Sequence, residues 1–307
     1  MIDIIIPAYN AHNTIEKTLN SVALQANKKI LNVYIINDGS KKDYKEICNK
    51  FSKILNIREL KLKTNKGPGF ARQYGLNHSS GKYIIFLDSD DILYDCYTTS
   101  NLYYEMEYNK LDICISPIYY ETENNIYKYY PSHMHNLHGK IFRRSCIENN
   151  NIKFYNTRCN EDTMFFYMAK LCADNIKIIK IPTYVHQYNK QSISESNNFW
   201  ANNIKVFANN ACKLIDFIDK SHIDHKKSSI MLANILICLY YEYNENYLEI
   251  DKKLVINSIK LFYKKANKLI KLVTNEEWNE IYHSYYSEKI PRISFYDFLN
   301  LIKNDQN

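Results

Sequence analysis

The sequence predicts an α/β fold, a mostly parallel sheet flanked by helices, followed by a C-terminal region that is all helix. Three observations predict it. Strand and helix signals alternate over the first 116 residues. Several of those strands are short, uninterrupted apolar runs, as expected where both faces of a strand are covered. After Trp200 the apolar residues recur at helical spacing almost to the end.

Taken in order, Ile2 to Ile6 reads as the first buried strand. Asn13-Thr14-Ile15-Glu16 predicts a helix start, an N-cap with Glu three residues on, and Ile15, Leu19 and Val22 supply its apolar face. Leu31 to Ile36 is a second buried strand, ending in the turn cluster Asn37-Asp38-Gly39-Ser40. Tyr44 to Ile54 reads as helix, Ile57 to Leu62 as strand, and Gly67 to His78 as a helix opened by glycine. Tyr83 to Leu87 is the third strongly apolar strand and stops at Asp88-Ser89-Asp90-Asp91. A helix to Asn109 and a strand at Ile113 to Ser116 follow. Strand signals at Ile126 to Tyr130, Ile176 to Ile181 and Tyr184 to Tyr188 surround a helix over Glu161 to Cys172. Alternation of this kind implies right-handed βαβ units. Ligands then bind beyond the carboxyl ends of the strands. Pro7 to Asn10, Asn37 to Ser40 and Asp88 to Asp91 all fall there, so three loops should converge on one crevice.

Composition narrows the class of protein. At 46% hydrophobic and 24% charged residues, the chain has what a folded core needs. The 8 cysteines contain no C-x-x-C pair, which argues against a zinc knuckle or a disulfide framework. The opening Met1-Ile2-Asp3 run is too short and too acidic for a signal peptide, and no run approaches the roughly 18 apolar residues of a membrane span. A cytoplasmic setting is expected, with the late lysines (226, 227, 252, 253, 264, 265, 268 and 271) offering a solvated face, a contact to an anionic membrane surface, or one to nucleic acid.

Three residue groups carry chemistry. Asp88, Asp90 and Asp91 crowd three carboxylates into four positions, and such crowding in a crevice implies a cation, Mg²⁺ or Mn²⁺, with phosphate oxygens completing its shell. An acidic loop capping the next helix is the other reading. Asp38 can accept from a base N–H or simply close an Asx turn before Gly39. Asn65-Lys66-Gly67-Pro68-Gly69-Phe70-Ala71-Arg72 opens a helix toward phosphate, with Arg72 a turn inside it, yet lacks the G-K-[ST] ending of a P-loop.

These motifs occur in order with Pro7-Ala8-Tyr9-Asn10 and Asn160-Glu161-Asp162. Together they resemble glycosyltransferase family 2, enzymes of the GT-A (Rossmann-like) fold, over about residues 1 to 190. The resemblance implies a GT-A domain over 1–195, with a nucleotide-binding half of about 1–116 and an acceptor half of about 117–195, then a helical region over 196–307. It implies that Pro7, Tyr9, Asn10, Asp38, Lys66, Gly67, Arg72, Asp88 and Ser89 contact the nucleotide-sugar donor, a UDP-sugar by preference. Asp88 and Asp90 match the family's D-x-D metal motif, with Asp91 secondary and His186 a later metal ligand. Asp162, or Glu161 beside it, matches the general base of inverting members, which takes the proton of an acceptor hydroxyl. A surface glycan or lipid-linked sugar is the expected acceptor. Alternatives are a nucleic-acid base or protein side chain as acceptor, or a non-catalytic nucleotide-binding module. Arg143 and Arg144 are expected on the acceptor side, available to an anionic group, near a loose cluster of His133, His135 and His138.

Overall fold

The computed structural model describes residues 1–131, 135–190, 199–221, 223–248, 250–284 and 291–303. His133 lies outside them. The chain divides into two compact units, Met1–Lys190 and Gln191–Asn307.

The first unit is built on a sheet of seven strands. Its members are β1 (Ile2–Ala8), β2 (Leu31–Asn37), β3 (Asn56–Lys61), β4 (Tyr83–Phe86), β6 (Ile113–Ile115), β9 (Lys140–Arg143) and β10 (Ile176–Ile178). Four short strands make a second sheet: β5 (Ile92–Leu93), β7 (Ile118–Glu121), β8 (Tyr127–Tyr130) and β11 (Tyr184–His186). The large sheet runs β10-β6-β9-β4-β1-β2-β3, and the small one β5-β11-β7-β8. All large-sheet pairs are parallel except those of β9, which runs antiparallel between β4 and β6.

Helices α1 (Ile15–Ala23), α2 (Lys45–Phe51), α3 (Pro68–Asn77), α4 (Thr98–Tyr108), α5 (Arg144–Asn149) and α6 (Glu161–Cys172) complete the unit. A continuous apolar cluster joins Ile4, Ile6, Val33, Ile35 and Ile85 of the sheet to Leu19 and Val22 of α1 and Met106 of α4. The apolar runs that predicted buried strands are those strands.

Two local expectations change. The helix start at Asn13 to Glu16 forms no capping box: Thr14 is the cap residue, its hydroxyl donates to Ala11 O at 3.3 Å, and Glu16 pairs instead with Lys50. Strand β11 stops at His186 because Gln187 N–H leaves the ladder to donate to Asp91 at 2.8 Å.

Arg143 and Arg144 are not on the acceptor side. Arg144 is buried and donates to Asp3, at the opening of β1, at 2.9 Å and to the Gly81 carbonyl at 2.6 Å. Those are the amino ends of β1 and β4, opposite the carboxyl ends where the acidic loops lie. Arg143 donates to the Leu111 carbonyl at 2.8 Å and lies 3.4 Å from Asp112. Both arginines are committed to holding strands, since a buried guanidinium needs partners for its donors.

The second unit is helical: α7 (Phe199–Lys220), α8 (His225–Glu245), α9 (Lys252–Ile270), α10 (Asn275–Ser284) and α11 (Phe295–Lys303). Asp224 and Asp251 cap α8 and α9, accepting from Lys227 N and Leu254 N. Ala233 and Ile237 of α8 pack with Val273 and Ile281 in a separate small core.

Candidate active site

Parallel strands β1, β2 and β4 deliver their loops to one end of the sheet. At the end of β1, Pro7 is half-buried; past the strand, Tyr9 is exposed and Asn10 takes a left-handed turn (φ 53°). Asn10 N–H donates to Ser40 Oγ at 3.0 Å, and its side chain accepts from Lys41 N–H at 3.1 Å. The first two loops are thereby tied together.

Asp38 is buried and accepts the backbone N–H groups of Lys66 and Gly67 at 2.7 and 2.8 Å. Its carboxylate therefore fixes the loop that opens α3. Lys66 is exposed, and Gly67 caps α3 with a positive φ of 91° ahead of Pro68 at the first helical position.

Arg72, one turn into α3, is buried and joins two motifs far apart in sequence. One terminal nitrogen donates to Asp88 Oδ1 at 2.7 Å, the other to Glu161 Oε1 at 2.9 Å. Its Nε finds no partner among the described residues. Burial alone would push Asp88 up, but Arg72, assisted by His138, outweighs it and holds this carboxyl well below the usual carboxylate range.

Asp162 follows Glu161 at the start of α6 and accepts from Thr163 N–H at 2.7 Å. Burial, then the neighbouring Asp162, pushes Glu161 up to about 7, with Arg72 opposing. Gly69 makes this arrangement possible, because a Cβ there would stand 2.5 Å from Glu161 Cγ.

Past β4 the acidic residues part company. Asp88, Asp91 and His138 each bring a ligand atom within 4.8 Å of the others. His138 Nε2 lies 3.3 Å from Asp88 Oδ2. Asp91 is buried and accepts from Tyr184 Oη at 2.6 Å and from Gln187 N–H at 2.8 Å. Burial, then Asp88 and Asp90, pushes the Asp91 carboxyl well up. Ser89 is half-buried between them. Asp90 is not in the three-residue group; its Oδ2 accepts from Asn189 at 2.8 Å, and burial raises its carboxyl too.

His186 is likewise outside that group. It stacks on Tyr120 at 4.0 Å, its ring 5.5 Å from that of His138, and burial lowers it to about 4.

The donor set of two carboxylates and one imidazole suits a divalent cation. Buried acids raised by one another signal a site short of positive charge. The sequence marks His138 only as one of a loose histidine cluster, and it does not single out Lys140. Lys140, fully buried, donates to the carbonyls of His135 and His138 at 3.2 and 3.1 Å and sits 4.6 Å from the Phe166 ring centre. It holds the turn that presents His138. The available signal was His138-Gly139-Lys140 leading a short apolar strand.

The profile of glycosyl transferase family 2 matches residues 3–175, more than half of the chain. The chain belongs to glycosyltransferase family 2. It is 36% identical to "Glycosyltransferase GlyA" of Streptococcus pneumoniae over 40% of its own length and 17% of that protein's. It is 25% identical to "Minor teichoic acid biosynthesis protein GgaA" of Bacillus subtilis over 99% of its own length and 66% of that protein's. The chain therefore spans less than two thirds of the length of either relative. Its fold is similar to that of Staphylococcus aureus TarS residues 1–349, solved in complex with UDP-GlcNAc, with a TM-score of 0.76 at 20% identity, covering 92% of this chain and 91% of that one. Family 2 membership and a GT-A-like fold therefore go together in this chain. Among the described residues, no helix is long and apolar enough to cross a membrane.

Proposed function

We propose that this family 2 enzyme transfers a sugar, an N-acetylhexosamine by preference, from a UDP donor to a hydroxyl of a cell-surface polymer of the teichoic acid class, with inversion. The observation that carries this reading is Arg72, which draws Asp88 of the third strand-end loop and Glu161 of the Glu161-Asp162 pair onto one guanidinium. Metal-side and base-side carboxylates thus share one crevice. The UDP-GlcNAc complex of TarS and the teichoic acid assignment of GgaA support the donor and acceptor classes.

Each group then has a task. Asp162, exposed enough to meet an acceptor, takes the proton of the attacking hydroxyl as it closes on the anomeric carbon. Glu161, tied to Arg72, positions the start of α6. Pro7, Tyr9, Asn10 and Asp38 line the donor's base side, and Asp38 does so with the oxygen lone pairs that Lys66 and Gly67 leave open. Lys66, Gly67 and Arg72 face the diphosphate, beside Asp88 and Ser89. Asp88, Asp91 and His138 would hold a divalent cation, Mn²⁺ or Mg²⁺, which carboxylate oxygens suit; Asp90 and His186 lie outside that group of three. A divalent cation there supplies neutralising charge for the departing diphosphate.

The test is UDP release by purified protein from UDP-GlcNAc with Mn²⁺ and poly(ribitol phosphate). Asp162→Asn is expected to lower turnover by at least about 100-fold, the lower end of what a general base contributes. Undiminished turnover in that variant would remove the assigned role.

A further inference from the structure

Helix α9 carries an exposed face that neither donor chemistry nor core packing explains. Val255, Ile256, Ile259, Phe262, Ala266 and Ile270 are buried, and α9 packs on α7, α8 and α11. Away from that side run two adjacent ridges. Lys253, Lys264 and Lys268 are exposed along one, continued by Lys271 just past the helix end. Leu254 (45% exposed) and Leu261 (49%) lie along the other, continued by Leu272 (47%). Leu254 and Leu261 are seven residues apart, an interval that returns to one face of an α-helix, and Leu272 lies just past the helix end. No acid occurs between Lys252 and Ile270. Asp251, the nearest one along the chain, is occupied as the helix cap. Lys265, beyond the leucine ridge, is paired with Asp216 at 2.6 Å.

We infer that this face of α9 docks on an anionic phospholipid surface, the lysines meeting headgroup phosphates while the leucine ridge enters the headgroup–acyl boundary. Charge alone would suit nucleic acid equally, and single exposed leucines are ordinary on a solvated surface, but a leucine ridge running beside a lysine ridge on one helix is not. The paired ridges favour lipid, because an interfacial helix gains from apolar burial and from anionic attraction together. Each lysine near such a surface contributes roughly a five-fold factor in binding.

Sedimentation of the full chain with vesicles tests this. It should bind vesicles containing phosphatidylglycerol, bind phosphatidylcholine vesicles far less, and lose binding as salt rises. Lys264→Glu with Lys268→Glu should weaken binding by at least about 25-fold, following the same per-lysine factor. Leu254→Ser with Leu261→Ser should weaken it by roughly ten-fold or more, as lost apolar burial requires. All four positions are surface sites, so UDP release should stay at the wild-type rate and report that each variant is folded. Failure to bind anionic vesicles overturns the inference. So does binding indifferent to the leucine pair, or a tighter, leucine-independent affinity for duplex DNA.

Discussion

At the scale of single residues, the site turns on a buried arginine whose two terminal nitrogens serve two carboxylates of opposite tendency. Arg72 reaches Asp88 and Glu161 at similar distances, yet Asp88 is held low while Glu161 rises to about 7. The difference lies in what else each acid meets. Asp88 is half-buried and also faces His138, whereas Glu161 is buried and sits beside Asp162. A raised acid binds its proton more tightly in the folded chain than in the unfolded one. Between its ordinary value of 4.5 and about 7, stability from Glu161 therefore falls as pH rises. Glu161→Gln keeps an oxygen for Arg72 but cannot ionise. Urea unfolding at pH 5 and pH 7.5 in EDTA should show the variant gaining on wild type at the higher pH, by on the order of 2 kcal/mol. A constant gap between the two proteins would mean that Glu161 ionises as it does in an unfolded chain.

At the scale of elements, the order of strands and their loops was legible because burial on both faces leaves an unbroken apolar run in the sequence. Asp38, Asp88 and Asp90 stood out for the same reason, since polar clusters that terminate such runs must lie at a sheet edge. What the sequence concealed arises where pairing is not local. Strand β9 enters antiparallel between two parallel strands, and nothing in the four residues Lys140 to Arg143 announces that insertion. His138 therefore stood out only as one of a loose histidine cluster where metal binding is conceivable, Lys140 was not singled out, and Arg144 was placed at the wrong end of the sheet. Close contacts are hidden too. In the Gly67-Pro68-Gly69 turn, Gly69 also serves to admit Glu161. Gly69→Ala should press on Glu161 Cγ and on the Tyr155 carbonyl, costing about 1–3 kcal/mol as overpacking does. It should also lower turnover by up to about 100-fold, because the Glu161–Arg72–Asp88 bridge shifts with it. Phe70→Ala, at the exposed neighbour, should leave both urea stability and UDP release near wild type.

At the scale of the whole molecule, the global charge and the local charge of the site have opposite signs. The chain carries a net charge of +7, but the crevice gathers Asp88, Asp90, Asp91, Glu161 and Asp162 around the buried guanidinium of Arg72. A donor with an anionic diphosphate would meet repulsion there unless a cation arrived with it or before it. Binding of metal and of nucleotide should consequently be coupled. Mn²⁺ at a hundred times its Kd should stabilise the chain by about 2.7 kcal/mol through mass action, and EDTA should abolish the gain. UDP should raise the melting temperature in Mn²⁺ and hardly at all in EDTA. Asp91→Asn keeps an oxygen for one of its two donors while removing a charge from the group of Asp88, Asp91 and His138. That variant should lose most of the Mn²⁺ shift and, with it, the UDP shift. An Asp91→Asn protein that still answers fully to Mn²⁺ would place the cation elsewhere, on Asp88 and Asp90, and would leave Asp91 as the anchor of Tyr184 and Gln187 alone.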